Sequence, residues 1–469
     1  MNTSTIPATQ SQRVVTVVGL LLIVIAVASL ESFLLPALPH IQREFGVDAA
    51  TGALAQVAPT LTTVIITPLA GRFADVFGAR RTLAVLLAAV IAGGITSAFA
   101  PVFPVLVLGQ VLQGFALGII PVGFVVIRGL FDDQAIKTVG GLFIAMTVGG
   151  AGLGVLVAGP IIESTSRAVL FGVPTAIVVV GGVLFFAARA HLAIREQDAP
   201  TRIDWAGASV LALTLVVIVA WLASTSAAGW LALSSLVLLV VALGLVVAWV
   251  AIERRVAQPM IDIATLRSRS VGGAVAVGVG IGAGYASIVY LIPQQITQPA
   301  GGVGLGATAT QTGFFLAVAF GAGFLASPLA GKVAQRVGTR AVGITGMLVL
   351  ALGAAIALIS TAPALIVVAL ALAGVGAASA STVAFSSAAS GAGEHEVGVS
   401  TALVTIARAV GGALATQVVA SIITTIGVTE SSAFRVGFAV AVVLALAGAG
   451  LAQLLPRERA AVDVGHGHP

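Results

Sequence analysis

The sequence predicts an all-α membrane protein made of two six-helix bundles with two further helices inserted between them. Three observations predict it. Only 8% of the 469 residues are charged and 59% are hydrophobic. A soluble domain carries roughly a quarter charged residues to coat its surface, so this chain must be surrounded largely by lipid. The basic residues alternate between two sides of a series of apolar runs. And one phrase is written twice, as TPLAGRFADVFGAR at 67–80 and SPLAGKVAQRVGTR at 327–340, with seven of fourteen residues matching at an offset of 260.

The apolar runs come first in the order of inference. Each is about 20 residues, the length that crosses a bilayer as a helix, and in lipid a helix satisfies its own backbone. They fall near 14–37, 50–70, 82–100, 104–127, 138–162, 167–188, 205–224, 230–252, 271–294, 309–330, 341–360, 363–388, 398–426 and 434–455. That is fourteen, with Ala227, Ala228 and Gly229 marking the turn between the seventh and eighth. The 56 glycines suit close helix packing, where small residues let backbones approach. Ala26-Val27-Ala28 imitates a signal-peptidase site, but the apolar run continues past it to Pro36, which favours a retained first helix.

Fourteen spans put both ends on one side, and the positive-inside rule says which. With both ends inside, 18 of the 22 Lys and Arg fall in inner segments, three (Arg43, Arg167, Arg435) in outer ones, and Arg408 alone within a span. The basic excess is therefore topological and does not point to nucleic acid. Both copies of the repeated phrase close a helix and open an inner loop, after helices 2 and 10. Two six-helix repeats alone would put the copies six helices apart; they sit eight apart, and 205–252 supplies the surplus pair. The domains read as 1–190, a six-helix bundle; 191–258, the inserted pair with its flanking loops; 259–456, a second six-helix bundle; and 457–469, a cytoplasmic tail. Parallel repeats of this kind are a transporter architecture.

The ordered motifs carry a resemblance. GRFADVFGARR (71–81), LESFLLPALPHI (30–41), GQVLQGFALG (109–118), GLGVLVAGP (152–160), RIDWAG (202–207) and ERRVAQPMIDIATLRSRS (253–270) follow one another along nearly the whole chain. Together they resemble the fourteen-helix drug:proton antiporter branch of the major facilitator superfamily, as a divergent member. The resemblance implies that two bundles rock around a midplane site, that small amphiphilic or drug-like compounds leave the cell in exchange for protons, and that the loop motif latches the inner gate. The pattern departs at Glu31, usually Asp; at Gln110, where the branch usually has an Arg linked with proton transfer; at Glu163 and Ser164, usually Gly-Gly; and at Val76, usually Arg.

The residues themselves nominate the sites. Glu31 is an acid inside an apolar run, a functional-site hypothesis by default and a candidate proton carrier. Seventeen residues separate it from Val14, about 25 Å of helix, so a hydrated acid near the outer end is the competing reading. Arg408 is the intramembrane charge; it faces Glu31 across the bundles, or it snorkels to the inner surface. Gly71, Asp75, Gly78, Arg80 and Arg81 form the candidate inner latch, the glycines allowing a tight turn and the acid capping a helix or pairing with Arg. Gln56, Gln110, Gln113, Tyr290 and Gln294 are candidate cavity-lining residues. Tyr285, five positions before Tyr290, points elsewhere on its helix. Gln56, Thr60, Thr63 and Thr67 share a face that lines the cavity or bonds to a neighbouring helix. Gly159 and Pro160 kink or end helix 5.

Several chemistries lose support. There is no Cys, no HExxH, no G-x-S-x-G and no histidine within a span, so neither an intramembrane enzyme nor a resident metal or cofactor is expected. No phosphate-binding loop points to ATP. A transport-dead sensor would need an output domain, and no long soluble segment is present. The expected partners are a small-molecule substrate, protons and the lipid bilayer. The second transport reading is a proton-independent facilitator or importer of a small solute.

Overall fold

A computed structural model describes residues 10–130, 133–188, 205–256, 268–300, 302–390 and 397–456. Fifteen α-helices make up almost all of it. In order they are α1 (Gln10–Phe45), α2 (Ala49–Phe77), α3 (Ala79–Ala98), α4 (Phe103–Gln113), α5 (Ile119–Leu130), α6 (Asp133–Ser164), α7 (Arg167–Ala187), α8 (Trp205–Ala228) and α9 (Leu233–Glu253). Then come α10 (Arg269–Ile296), α11 (Ala309–Val337), α12 (Thr339–Ile359), α13 (Pro363–Ser390), α14 (Val397–Ile426) and α15 (Ser431–Leu451). Among the described residues twelve helices are long and apolar enough to cross a membrane, α4 and α5 counting as one. Two shorter apolar stretches, Gly149–Ser164 in α6 and Ser209–Thr225 in α8, stand at two further expected spans.

The chain clusters into two compact units. Met1–Ile261 with Thr308–Gly313 forms the first, and Asp262–Ala307 with Phe314–Pro469 the second. The expected domain boundaries at 190/191 and 258/259 lie outside the described residues. In the first unit α1 packs on α6 and α7, and α3 on α4 and α7. In the second, α10 packs on α14 and α15, and α12 on α13 and α15, the same pattern helix for helix. The sequence offset reappears in the contacts. A Cβ on Gly93 would strike the carbonyl of Gly109, and one on Gly353 the carbonyl of Ala369, 260 residues further on.

The two inserted helices pair with each other, and α8 lies on α2. Gly229 (φ +92°) makes their turn. Trp221 and Trp230 meet edge to face at 5.7 Å, and the Ser224 and Ser234 hydroxyls bond at 3.0 Å.

One expectation is corrected here. The segment 71–81 is not a loop. Helix α2 runs on to Phe77 and α3 begins at Ala79, so the whole connection is Gly78. Phe73, Ala74, Val76 and Phe77 have no reason to leave the helix, and a single glycine at φ +88° reverses the chain. Gly338, at φ +93°, does the same for α11 and α12. Gly71 therefore makes no turn; it is a helical residue beside Pro121. Asp75 belongs to the last turn of α2, and its side chain lies outside the described residues. Helix 4, expected as one span over 104–127, is one span at Phe103–Ile127, with a 3-10 turn at Gly114–Gly118 between α4 and α5 that its counterpart α13 lacks. The sequence GFALG places two glycines there, and 3-10 segments within helices often mark hinges.

Candidate functional site

In the first unit the site is built on α1. From Gly19 to Gln42 every residue of α1 is buried or half-buried except one, Glu31, which is exposed between Leu30 (1%) and Ser32 (5%). The local fold is set by small residues. A Cβ on Gly150 would meet the Ile25 backbone, and one on Gly154 the Ser29 backbone and the Ser32 hydroxyl. The Ser29 hydroxyl donates to the Gly150 carbonyl at 2.9 Å. Helix α6 is thereby clamped against the turn that carries Glu31. A carboxylate exposed within an apolar helix faces water or a partner, since lipid would charge heavily for it.

Helix α1 also touches α4 and the 3-10 turn. Here the two glutamines part. Gln110 is buried and its amide donates to the Ser97 hydroxyl on α3 at 3.0 Å, so it ties two helices together. Gln113 is 5% exposed, and neither its amide oxygen nor its nitrogen has a partner among the described residues. A buried amide left unpaired is costly, which makes Gln113 the stronger candidate for a ligand contact. The stripe on α2 is also divided. Gln56 is half-buried, Thr60 and Thr67 bond to their own helix, and Thr63 donates to the Gly114 carbonyl at 3.1 Å. Thr63 thus serves helix packing beside the 3-10 turn.

In the second unit Arg408 lies on α14, 11 residues beyond Val397. Its Nε is buried with no hydrogen-bond partner among the described residues. Its guanidinium stands 5.8 Å from the Phe385 ring centroid on α13 and interacts electrostatically with Tyr285 on α10. Tyr285, not Tyr290, is the tyrosine at the charge; Tyr290 is 2% exposed and Gln294 is buried in the same helix. Five residues put the two rings on different sides of α10, and the apolar run alone did not say which side faced Arg408.

Glycines hold that charge in place. Cβ atoms on Gly278, Gly282 and Gly411 would strike the backbone of Val404, Arg408 and Val279. Gly282→Leu is expected to force α10 and α14 apart, costing about 1–3 kcal/mol by overpacking. Thermal unfolding in detergent checks it, with Gly321→Ala in α11, where an added Cβ meets nothing within 4 Å, as a mild control.

Four side chains, Arg167, Arg80, Arg340 and Glu163, make contacts that sequence reasoning did not assign to them. Arg167 donates to the Ser97 and Ala100 carbonyls at 2.7 and 2.8 Å, pairs with Glu44 at 3.1 Å, and stacks on Phe45 at 4.7 Å. It joins α1, α3 and α7 at one end of the first unit. Arg80 donates to the Phe186 carbonyl at 2.7 Å, and Arg340 to the Leu455 carbonyl at 2.8 Å. The repeated phrase therefore ends in an arginine that grips the end of the last helix of its own repeat, α7 in the first and α15 in the second. The offset of 260 was the available signal for this shared role. Arg81, next to Arg80, is exposed. Glu163 accepts from the Thr310 amide at 2.8 Å and the Thr310 hydroxyl at 2.6 Å, capping the first turn of α11, which clusters with the first unit. Gly159 allows this approach, as its Cβ would strike Ala309 and Thr310. Pro160 lies inside α6, which continues to Ser164, so it does not end the helix. Among the described residues no cluster of His, Asp or Glu could hold a metal.

Comparison with known proteins places these features. The family model of the Major Facilitator Superfamily matches residues 20–251 and 274–466. A uridine/deoxyuridine transporter of Lactococcus lactis subsp. cremoris is 25% identical over 380 residues, covering 76% of each chain. The multidrug transporter protein MdtP of Bacillus subtilis is 25% identical over 351 residues, 73% of this chain and 62% of that one. Among solved structures, a peptide transporter POT in complex with sulfate superposes with a TM-score of 0.68 at 15% identity, over 96% of this chain and 98% of that one. That likeness is one of fold.

Proposed function

The chain belongs to the Major Facilitator Superfamily, and from that premise we propose that it is a proton-coupled exporter of small amphiphilic or drug-like compounds working by alternating access. It is a multi-pass membrane transporter and not an enzyme. The observation that carries the proton reading is Glu31, the one exposed residue in the middle of α1. A carboxylate there can take a proton from one side and release it to the other while the bundles alternate. Gln113, unpaired beside the 3-10 turn, and Arg408 with Tyr285 are the proposed substrate contacts of the first and second units. The multidrug relative supports the export reading.

A second reading has its own support. The uridine/deoxyuridine relative moves a small polar solute, and Gln110 bonds Ser97 where the resembled branch has an arginine. On that reading the protein is a proton-independent facilitator or importer. Reconstitution in liposomes separates them. A pH gradient is imposed and lumenal pH is followed while lipophilic cations, anions, neutral compounds and uridine are added. Substrate-triggered proton movement supports antiport; flux without proton movement overturns it.

The proposed topology is fourteen spans with both ends inside. Because the chain has no cysteine, single-cysteine variants report sidedness without background. Leu231→Cys, in the α8–α9 turn, is expected to react with an impermeant maleimide from outside, and Val256→Cys only after permeabilisation. The reverse pattern would overturn the orientation.

A further inference from the structure

On the first unit, α2, α3 and the 3-10 turn enclose a groove of about 370 Å³. Its walls are apolar: Leu69 and Phe73 from α2, Val85 and Leu86 from α3, and Phe115 from the 3-10 turn. Phe73 and Phe77 stack at 5.9 Å along one side. The Thr82 hydroxyl, also in the lining, is turned away to the Gly78 carbonyl at 3.2 Å. One lining residue is charged, Arg81. It is exposed and takes part in no hydrogen bond or ion pair among the described residues, while its neighbour Arg80 is committed to Phe186. Val85 is 65% exposed and Phe77 47%, so the groove opens outward.

An apolar slot beside an exposed cation with no partner among the described residues matches an amphiphile with an acyl chain and an anionic head. We propose that this groove binds an anionic phospholipid of the surrounding bilayer, its acyl chain lying between α2 and α3 and its phosphate on Arg81. Charge complementarity selects the occupant. A zwitterionic lipid gains the apolar contact but less from the guanidinium. A basic pocket between transmembrane helices is a recurring way to hold an anionic headgroup. The guanidinium suits phosphate because it offers a planar fork of donors. The leaflet follows from the orientation proposed above, with Arg81 at the inner side; the binding does not depend on that orientation or on the transported compound. A lipid seated here contacts both α2 and the 3-10 turn, so its headgroup chemistry would bear on the hinge in helix 4.

The test is native mass spectrometry of the full chain in detergent, titrated with dioleoyl phosphatidylglycerol or dioleoyl phosphatidylcholine. The first phosphatidylglycerol is expected to bind about fivefold more tightly than phosphatidylcholine, the scale of one basic residue at a membrane surface. Arg81→Gln should erase that preference and Arg81→Lys should keep it. Val85→Trp, at the exposed rim, should weaken the first adduct of both lipids by narrowing the groove. Both positions are exposed, so folding is not at stake. Equal binding of the two lipids by the wild type overturns the proposal. So does a preference that survives Arg81→Gln, an adduct indifferent to Val85→Trp, or displacement of the lipid by a transported compound, which would assign the groove to the substrate path.

Discussion

Glu31→Gln is expected to abolish pH-gradient-driven transport while leaving a folded, substrate-binding protein. Glutamine keeps the size and the hydrogen-bonding reach of the acid and removes only its ability to carry a proton. Coupling between two ligands is worth about 1–3 kcal/mol, or roughly 5- to 150-fold. Loss of the proposed proton carrier should therefore lower uphill transport by about 5- to 150-fold. Two controls give the result its meaning. Glu31→Asp should keep most activity, because the acid remains on the same turn of α1. Substrate exchange without a pH gradient should survive in Glu31→Gln, since moving substrate both ways needs no net proton. If gradient-driven uptake into inverted vesicles is unchanged in Glu31→Gln, the antiport reading fails, and Glu31 is a hydrated acid of an otherwise apolar helix.

Arg167→Met should produce the largest loss of stability of any single change considered. Methionine preserves much of the apolar bulk. The loss is then electrical: two charge-assisted hydrogen bonds to the Ser97 and Ala100 carbonyls, the pair with Glu44 and the stack on Phe45. Hydrogen bonds involving a charged group contribute about 1.5–3 kcal/mol each, and an exposed ion pair about 0–1. The expected cost is about 3 kcal/mol, read as a lowered unfolding temperature in detergent. The comparison with Glu44→Gln decides the cause. Glu44 is 38% exposed at its side chain and Arg167 only 12%, so the carbonyl bonds should dominate and Glu44→Gln should cost under about 1 kcal/mol. Equal costs for the two variants would make the ion pair the important part and overturn this account.

The residues that betrayed themselves in the sequence are those whose chemistry clashes with their surroundings. Glu31 and Arg408 stand out because a charge in an apolar run has no ordinary reason to be there. The duplication was equally legible, since seven matching residues at one offset survive in linear text, and the shared contacts of Gly93 and Gly353 follow that offset. What could not be read depends on which neighbour a helix face meets. Gln110 and Gln113 sit on one short helix and look alike in the sequence, yet one bonds Ser97 and the other is unpaired. The onset of a 3-10 turn at Gly114 lies between helix propensity and tertiary packing, and propensity alone does not locate it. Arg167 looked like an outer-loop charge because its acceptors are backbone carbonyls 67 and 70 positions away. Backbone acceptors leave no trace in residue identity. Gly78 was legible as a turn, but the single-residue length of the connection was missed for a simpler reason: a charged segment between two apolar runs resembles a loop, although the helices extend beyond their apolar stretches.

The two arginine grips, Arg80 on Phe186 and Arg340 on Leu455, bear on how the protein is made. Each reaches forward in the chain, from the third spanning helix of a repeat to the end of that repeat's last. Neither can form until the ribosome has delivered that last helix, and neither needs anything synthesised later. The grip on Phe186 is available once the chain has emerged as far as the end of α7. The grip on Leu455 must wait until α15 has been delivered. The first bundle can thus be sealed in the membrane while the second is still being translated, which shortens the time that its polar residues spend without partners in lipid.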